Sequence, residues 1–434
     1  MERLIVEIEL KLVNNPTLGL IWATFAFFVG FAAVSLYGPA AKSFKGLLHL
    51  SGIELGLLVS VPYLTGSLLR LPFGAWVDKV GGKKPMLTLL FLSILGMGGL
   101  TFLLFSYYPD RMSKEFYPVI LLLGVLSGCS IATYSVGIAQ VSYCYPKSKQ
   151  GTALGIYAGI GNTAAGIFAL VLPIAISAWG LPRAYLAWFV FLLIGTLLYA
   201  VFAVDACYFQ LTSKGVPRER AVNIAKQLGQ ELIPKGGFFA ALTHSAKNFR
   251  TWILVFLYAV CFGAGFLGLT AWLPAYWSIY HGVSIVIAGT LTALGYSILA
   301  SLVRVLGGYL SDKTGGEKVA LLGFVFMLVG STIVFLTGNF YTGLIGTILL
   351  GTGVGLANAA VFKLVSKYVP EAVGGAAGWV GGLGSLGGFV APPILGAFVE
   401  FMGSSGYAKG FVIYVILSLI AIFVTVLLKR FRGG

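Results

Sequence analysis

The sequence predicts an all-α polytopic membrane protein, with twelve transmembrane helices in two six-helix halves related by pseudo-symmetry. Three observations carry this. Hydrophobic residues make up 58% of the 434 and charged residues only 10%, against roughly 25% charged in a soluble domain, and the mean hydropathy is +0.94. Twelve stretches reach the ~20 apolar residues that a helical span needs. Finally, GSLLRLPFGAWVDKVGGKK at 66–84 is echoed by ASLVRVLGGYLSDKTGGEK at 300–318. A constant shift of 234 pairs Arg70 with Arg304, Gly74 with Gly308, Asp78 with Asp312 and Lys79 with Lys313. A repeat of that length describes two homologous halves, each running back and forth across a membrane.

Taken in order, the expected spans are 17–41, 52–77, 83–106, 116–141, 149–178 and 183–206, then 251–276, 284–310, 317–338, 341–366, 373–401 and 406–429. They are long, continuously apolar and without period-2 alternation, so helices are the spanning form. The start, MERLIVEIELKLVNNPT, is too charged and interrupted to read as a cleavable leader. The resulting organisation is an N-terminal bundle over 1–206, a hydrophilic linker over 207–250 and a C-terminal bundle over 251–434. In the linker, Val222, Ala225, Leu228 and Leu232 recur at helical spacing. They suit either a short amphipathic helix at the membrane surface or a solvated connecting helix. Cys129, Cys144, Cys207 and Cys261 are scattered, without metal or redox spacing. No cofactor or metal is expected.

Orientation follows from the basic residues. With the N-terminus inside, inner segments hold 21 Lys and Arg and outer segments 6. Both termini are therefore expected in the cytoplasm of a multi-pass cell-membrane protein. The net charge of +15 then reports topology and contact with anionic lipid at the cytoplasmic face, not nucleic acid.

The remaining two basic residues are Arg70 and Arg304. Each precedes its turn aspartate by eight residues, which at 1.5 Å per residue puts it roughly 12 Å into a core of about 30 Å. A charge at that depth is costly and marks a functional site by default. All fourteen acidic residues fall in loops or at span ends, so no intramembrane carboxylate is positioned to neutralise either arginine. An anion from outside fits, and the planar guanidinium fork matches a planar oxyanion in a way lysine cannot.

A second repeat lies in the glycine-rich spans. PKSKQGTALGIYAGIGNTAAG at 146–166 aligns with PEAVGGAAGWVGGLGSLGGFVAPP at 370–393 at a shift of 223. This pairs Gly155 with Gly378, Gly159 with Gly382 and Gly161 with Gly384; Gly387 continues the second stripe. Such stripes permit close packing or a backbone bordering a ligand.

At this point the sequence resembles the major facilitator superfamily and, within it, the nitrate/nitrite porters. GAWVDKVGGKK is similar to the superfamily's turn between the second and third helices. YPKSKQGTALGIYAGIGN and GWVGGLGSLGGFVAPP are similar to the two nitrate-signature motifs, and NAAVFKLV at 358–365 also matches. The resemblance covers all twelve spans. It implies that Arg70 and Arg304 clamp the anion, that Tyr258 contacts it and that Phe362 stacks on it. Tyr134 is Phe362's counterpart, standing where the family usually has phenylalanine. Asn162 fits the first glycine motif, and its symmetry mate is Ser385. Gly161 and Gly384 belong to the same substrate-binding set. Gly74, Asp78, Lys79, Gly308, Asp312 and Lys313 form a conformational gate, and Gly155, Gly159, Gly378, Gly382 and Gly387 give the glycine helices flexibility.

The expected activity is therefore alternating-access transport of nitrate and nitrite in nitrate assimilation, by a monomer and not an enzyme. His49, His244 and His281 lie in loops or at span ends and no acid sits mid-membrane, which favours nitrate/nitrite antiport. Proton-coupled nitrate symport is the alternative, followed by exchange of another small anion such as formate or oxalate. An anion-sensing receptor without transport, or an anion channel, are the readings from other classes.

Overall fold

A computed structural model describes residues 12–233, 238–370 and 373–430, and all regular structure among them is helical. Before the linker run α1 (Pro16–Leu48), α2 (residues 52–80), α3 (Lys83–Tyr107), α4 (Lys114–Cys144), α5 (Lys147–Trp179) and α6 (Leu181–Phe202). After it come α7 (Phe249–Tyr280), α8 (Ile285–Thr314), α9 (Gly316–Leu336), α10 (Phe340–Tyr368), α11 (Val373–Lys409) and α12 (Val412–Arg430). Eleven of these are long and apolar enough to cross a membrane. The exception, α2, is built from three consecutive pieces, Gly52–Ser60, Pro62–Leu68 and Arg70–Val80.

The chemistry of α2 explains its breaks. It begins with a capping box, in which Ser51 Oγ accepts from the Glu54 N–H at 3.3 Å and the Ser51 N–H donates to Glu54 Oε2 at 2.8 Å. Pro62 cannot donate a main-chain bond and opens the second piece. The third piece starts on Arg70, whose Nε donates back to the Gly66 carbonyl at 3.2 Å. The arginine therefore sits at a joint in the helix.

α7 and α8 depart from α-geometry in another way. Ala259–Gly268, Tyr276–Tyr280 and Ala293–Ser297 are π-helical, a conformation found as short stretches and often at functional sites. Side chains from other helices take up main-chain carbonyls there. Tyr296 Oη donates to Gly265 O at 2.7 Å, and Tyr414 Oη donates to Ala264 O at 2.9 Å.

Two expected boundaries move. α6 was expected to reach 206 but ends at Phe202. Asp205 instead leaves the helix to accept from the Gly82 and Lys83 N–H groups at 2.7 and 3.0 Å, capping α3. Burial pushes its carboxyl above the usual range, while those donors and the charges of Lys83 and Lys84 pull the other way. In the linker the helix is Arg218–Gln227, flanked by Cys207–Ser213 and Phe238–Ala246. Its buried residues are Ala221 and Ala225, and Leu228 is 39% exposed. The expected stripe thus ran too far, because Gly229 takes a positive φ of 88° and turns the chain. The linker folds onto the N-terminal segment, with Asn14 Nδ2 donating to Leu228 O at 2.9 Å.

The halves meet differently at the two ends of the molecule. At the end opposite the Asp78 and Asp312 turns, main chain touches main chain. A Cβ on Gly38 would lie 2.6 Å from Ala271 O, while Gly52 and Gly396 abut each other's carbonyls and Gly56 abuts Pro392. Glycine is required at this close approach. At the turn end the halves part around a cavity, and each turn is tied within its own half. Tyr143 Oη donates to Asp78 at 2.6 Å; Asp312 pairs with Lys363, and Glu317 pairs with Lys367 and accepts from Tyr368. Lys313 lies over the Tyr309 ring at 4.4 Å, Lys79 is exposed, and a Cβ on Gly308 would meet nothing within 4 Å.

Candidate functional site

Arg70 and Arg304 occupy matching positions on α2 and α8, and both reach across to the other half. Arg70 is 2% exposed. Its Nη1 donates to the Gly381 carbonyl at 2.8 Å and to Ser385 Oγ at 2.5 Å, both on α11. Arg304 Nη2 donates to Tyr134 Oη on α4 at 3.2 Å. Neither guanidinium forms an ion pair among the described residues. Arg70 Nη2 and Arg304 Nη1 are buried without a hydrogen-bond partner among the described residues, each a donor whose desolvation no hydrogen bond offsets.

Aromatic rings supply the rest of the surroundings. Arg70 Cζ lies 4.9 Å from the Tyr134 ring centre and 5.4 Å from that of Phe262; Arg304 Cζ lies 6.0 Å from the Phe262 ring centre. Ring quadrupoles attract cations at such distances, so Phe262 helps hold two like charges in one place. Tyr258 stacks on Phe262 at 4.9 Å and meets Phe362 at 5.5 Å, and its buried hydroxyl has no partner. Tyr134 completes the wall with Phe27 and Tyr157.

A cavity of about 260 Å³ runs from Arg70 toward the turn end, past Gly74, Tyr134, Phe362 and Gly378 to Asp78 and Leu232. It is lined by residues of both halves. Of the expected substrate-binding set, Arg70, Tyr134 and Phe362 line it. Arg304 and Tyr258 join them through direct contacts. Asn162 is buried, its Oδ1 unpartnered.

The glycines divide by what a side chain would meet. Gly161 presses on the Phe27 ring, and a Cβ on Gly384 would lie 2.9 Å from Tyr258 Cδ1. These two do not line the cavity; they let aromatic residues of the site approach the backbone. Gly387 abuts α7 at Ala259 and Ala264, and Gly382 faces Leu71 across the halves. Gly155 would meet nothing within 4 Å, and Gly159 only Val305 at 3.9 Å.

The sequence reading missed Phe262, which stands four residues after Tyr258 within a π-helical stretch. It also missed Gly381 as an arginine acceptor and assigned Ser385 no contact. A main-chain acceptor leaves no side-chain signal to read.

The pattern described as "Major Facilitator Superfamily" matches residues 23–296 and 280–432, covering both bundles. The chain belongs to the Major Facilitator Superfamily. Relatives within it place the chain among the nitrate/nitrite porters. One, from Thermus thermophilus, carries the name "Probable nitrate/nitrite antiporter NarK1" and is 31% identical over 89% of this chain and 86% of its own length. Another, "Probable nitrate/nitrite transporter NarK2" of Mycobacterium tuberculosis, is 29% identical over 96% of this chain and 98% of its own. Among solved structures the superfamily fold recurs in the Escherichia coli xylose transporter XylE. That match has a TM-score of 0.73 and 14% identity, covering 97% of this chain and 98% of the other.

Proposed function

We propose that this member of the superfamily exchanges nitrate for nitrite across the cell membrane by alternating access, with Arg70 and Arg304 as the anion clamp. The observation that carries the reading is the pair of buried guanidinium nitrogens contributed by the two halves, with no hydrogen-bond partner and no ion pair among the described residues. Two cations held close together among rings favour a small, flat, weakly hydrated oxyanion, and a pair of forks from opposite halves couples its binding to their relative position. The names of the relatives supply the ion. Tyr258, Tyr134, Phe362 and Asn162 complete the proposed site, and Gly161 and Gly384 support its rings.

The cavity joins Arg70 to the turn end, and the excess of basic residues at inner segments puts that end in the cytoplasm. The conformation is accordingly inward-facing, sealed outside by the Gly38, Gly52 and Gly56 contacts. In the outward-facing state the Asp78–Lys79 and Asp312–Lys313 turns would come together and close the inner mouth.

Tracer nitrate uptake into proteoliposomes tests the reading, with and without internal nitrite and at equal and unequal pH. Exchange requires internal nitrite and is indifferent to the pH gradient. Uptake driven by an acidic exterior alone makes the protein a proton symporter, and no nitrate movement by folded protein removes the substrate assignment.

A further inference from the structure

Tyr134 touches both arginines in different ways. Its ring lies against the Arg70 guanidinium at 4.9 Å, and its hydroxyl accepts from Arg304 Nη2 at 3.2 Å. We propose that the Tyr134 hydroxyl competes with the transported anion for Arg304 and so sets how tightly that anion is held. The inference rests on the assignment of the arginine pair as the anion site.

The argument concerns two nitrogens on one edge of the guanidinium. A planar oxyanion is held best by two parallel N–H bonds. On the terminal edge of Arg304, Nη1 has no hydrogen-bond partner among the described residues and Nη2 is given to Tyr134. An oxyanion arriving there takes Nη1 freely, but at Nη2 it competes with the hydroxyl, which already holds one of that nitrogen's two N–H groups and occupies space beside it. The hydroxyl has little freedom to withdraw. Tyr134 is 3% exposed, with ring-centre distances of 5.4 Å to Phe27, 6.5 Å to Tyr157 and 6.5 Å to Phe262. Tyr157 Oη also donates to the Tyr134 carbonyl at 3.1 Å, fixing the backbone beneath it.

Deleting the hydroxyl therefore changes Arg304 and little else. In Tyr134→Phe the ring keeps its packing, but Nη2 loses the hydroxyl it donates to, beside an Nη1 already buried without a partner among the described residues, a cost that an anion would relieve. The alternative role for the same atom is opposite in sign. A hydroxyl that accepts from Arg304 can donate its own proton to the anion, and removing it would then weaken binding.

The experiment compares nitrate binding and thermal unfolding of purified wild-type protein, Tyr134→Phe and Arg304→Lys. Competition predicts that Tyr134→Phe binds nitrate about tenfold more tightly, the equivalent of roughly 1.4 kcal/mol. It also predicts a lower unfolding temperature than wild type without nitrate and an equal one at saturating nitrate. Unchanged or weaker nitrate binding by Tyr134→Phe overturns the proposal. So does an equal loss of unfolding temperature with and without nitrate, the mark of a merely structural hydroxyl. If the wild-type protein binds no nitrate, or Arg304→Lys binds it as well as wild type, the anion-site assignment itself fails and the proposal with it.

Discussion

Arg70 and Arg304 hold the same place in the repeat and live differently. Arg70 is spent on three protein acceptors, Gly66 O on its own helix and Gly381 O and Ser385 Oγ across the halves. Arg304 has a single hydrogen-bond partner among the described residues, Tyr134 Oη. The repeat aligns Ser385 with Asn162, yet Arg70 engages Ser385 while the Asn162 oxygen has no partner. Sequence symmetry thus places the charges, and the conformation decides which acceptors they find.

The largest expected effect comes from removing the fork while keeping the charge. Arg70→Lys and Arg304→Lys should each lower exchange by about 100-fold or more, since an ammonium offers no parallel donors. Of the two, Arg70→Lys should also lower the unfolding temperature further, having more protein bonds to lose. Near-normal flux in either variant would remove the clamp.

Next come the paired glycines that carry the rings. Gly161→Ala overlaps Phe27 and Gly384→Ala overlaps Tyr258, and overpacking of this sort costs about 1–3 kcal/mol. Folding yield and exchange should fall in both, with Gly161→Ala the worse. Equal, mild phenotypes would show that the rings shift to accommodate a methyl group.

Ser385→Ala should act more gently, lowering exchange two- to threefold, because Arg70 keeps its bond to Gly381 O. A loss approaching that of Arg70→Lys would mean that the hydroxyl, not the carbonyl, positions the guanidinium. The smallest effect belongs to Gly155→Ala, where a Cβ meets nothing. Alanine in place of a helical glycine should stabilise by up to about 1 kcal/mol, with exchange within twofold of wild type. A larger loss would show that this part of α5 must bend.

Much of the fold was open to reading because its signals are local. Apolar length located the helices, and the 234-residue shift located the arginines before any coordinates. Its errors lay where distant parts decide. α6 stops short of 206 because Asp205 is drawn to the start of α3, more than a hundred residues earlier. The arginine partners were hidden for the same reason, since Gly381 is a bare carbonyl 311 positions from Arg70. Phe262 escaped because α7 is π-helical just there, and one apolar residue among many carries no mark of the charges beside it.

The contact between Gly52 and Gly396 has a consequence for how the protein responds to its surroundings. It is a bearing surface of bare main chain. Where the two glycines meet no side chain must find its rotamer, and beside them the Ile53 N–H donates across the halves to the Glu400 carboxylate at 3.2 Å. Sensitivity of this end to pH or ionic strength then enters through flanking side chains, Glu400 among them, while the glycine contact itself is only a seal.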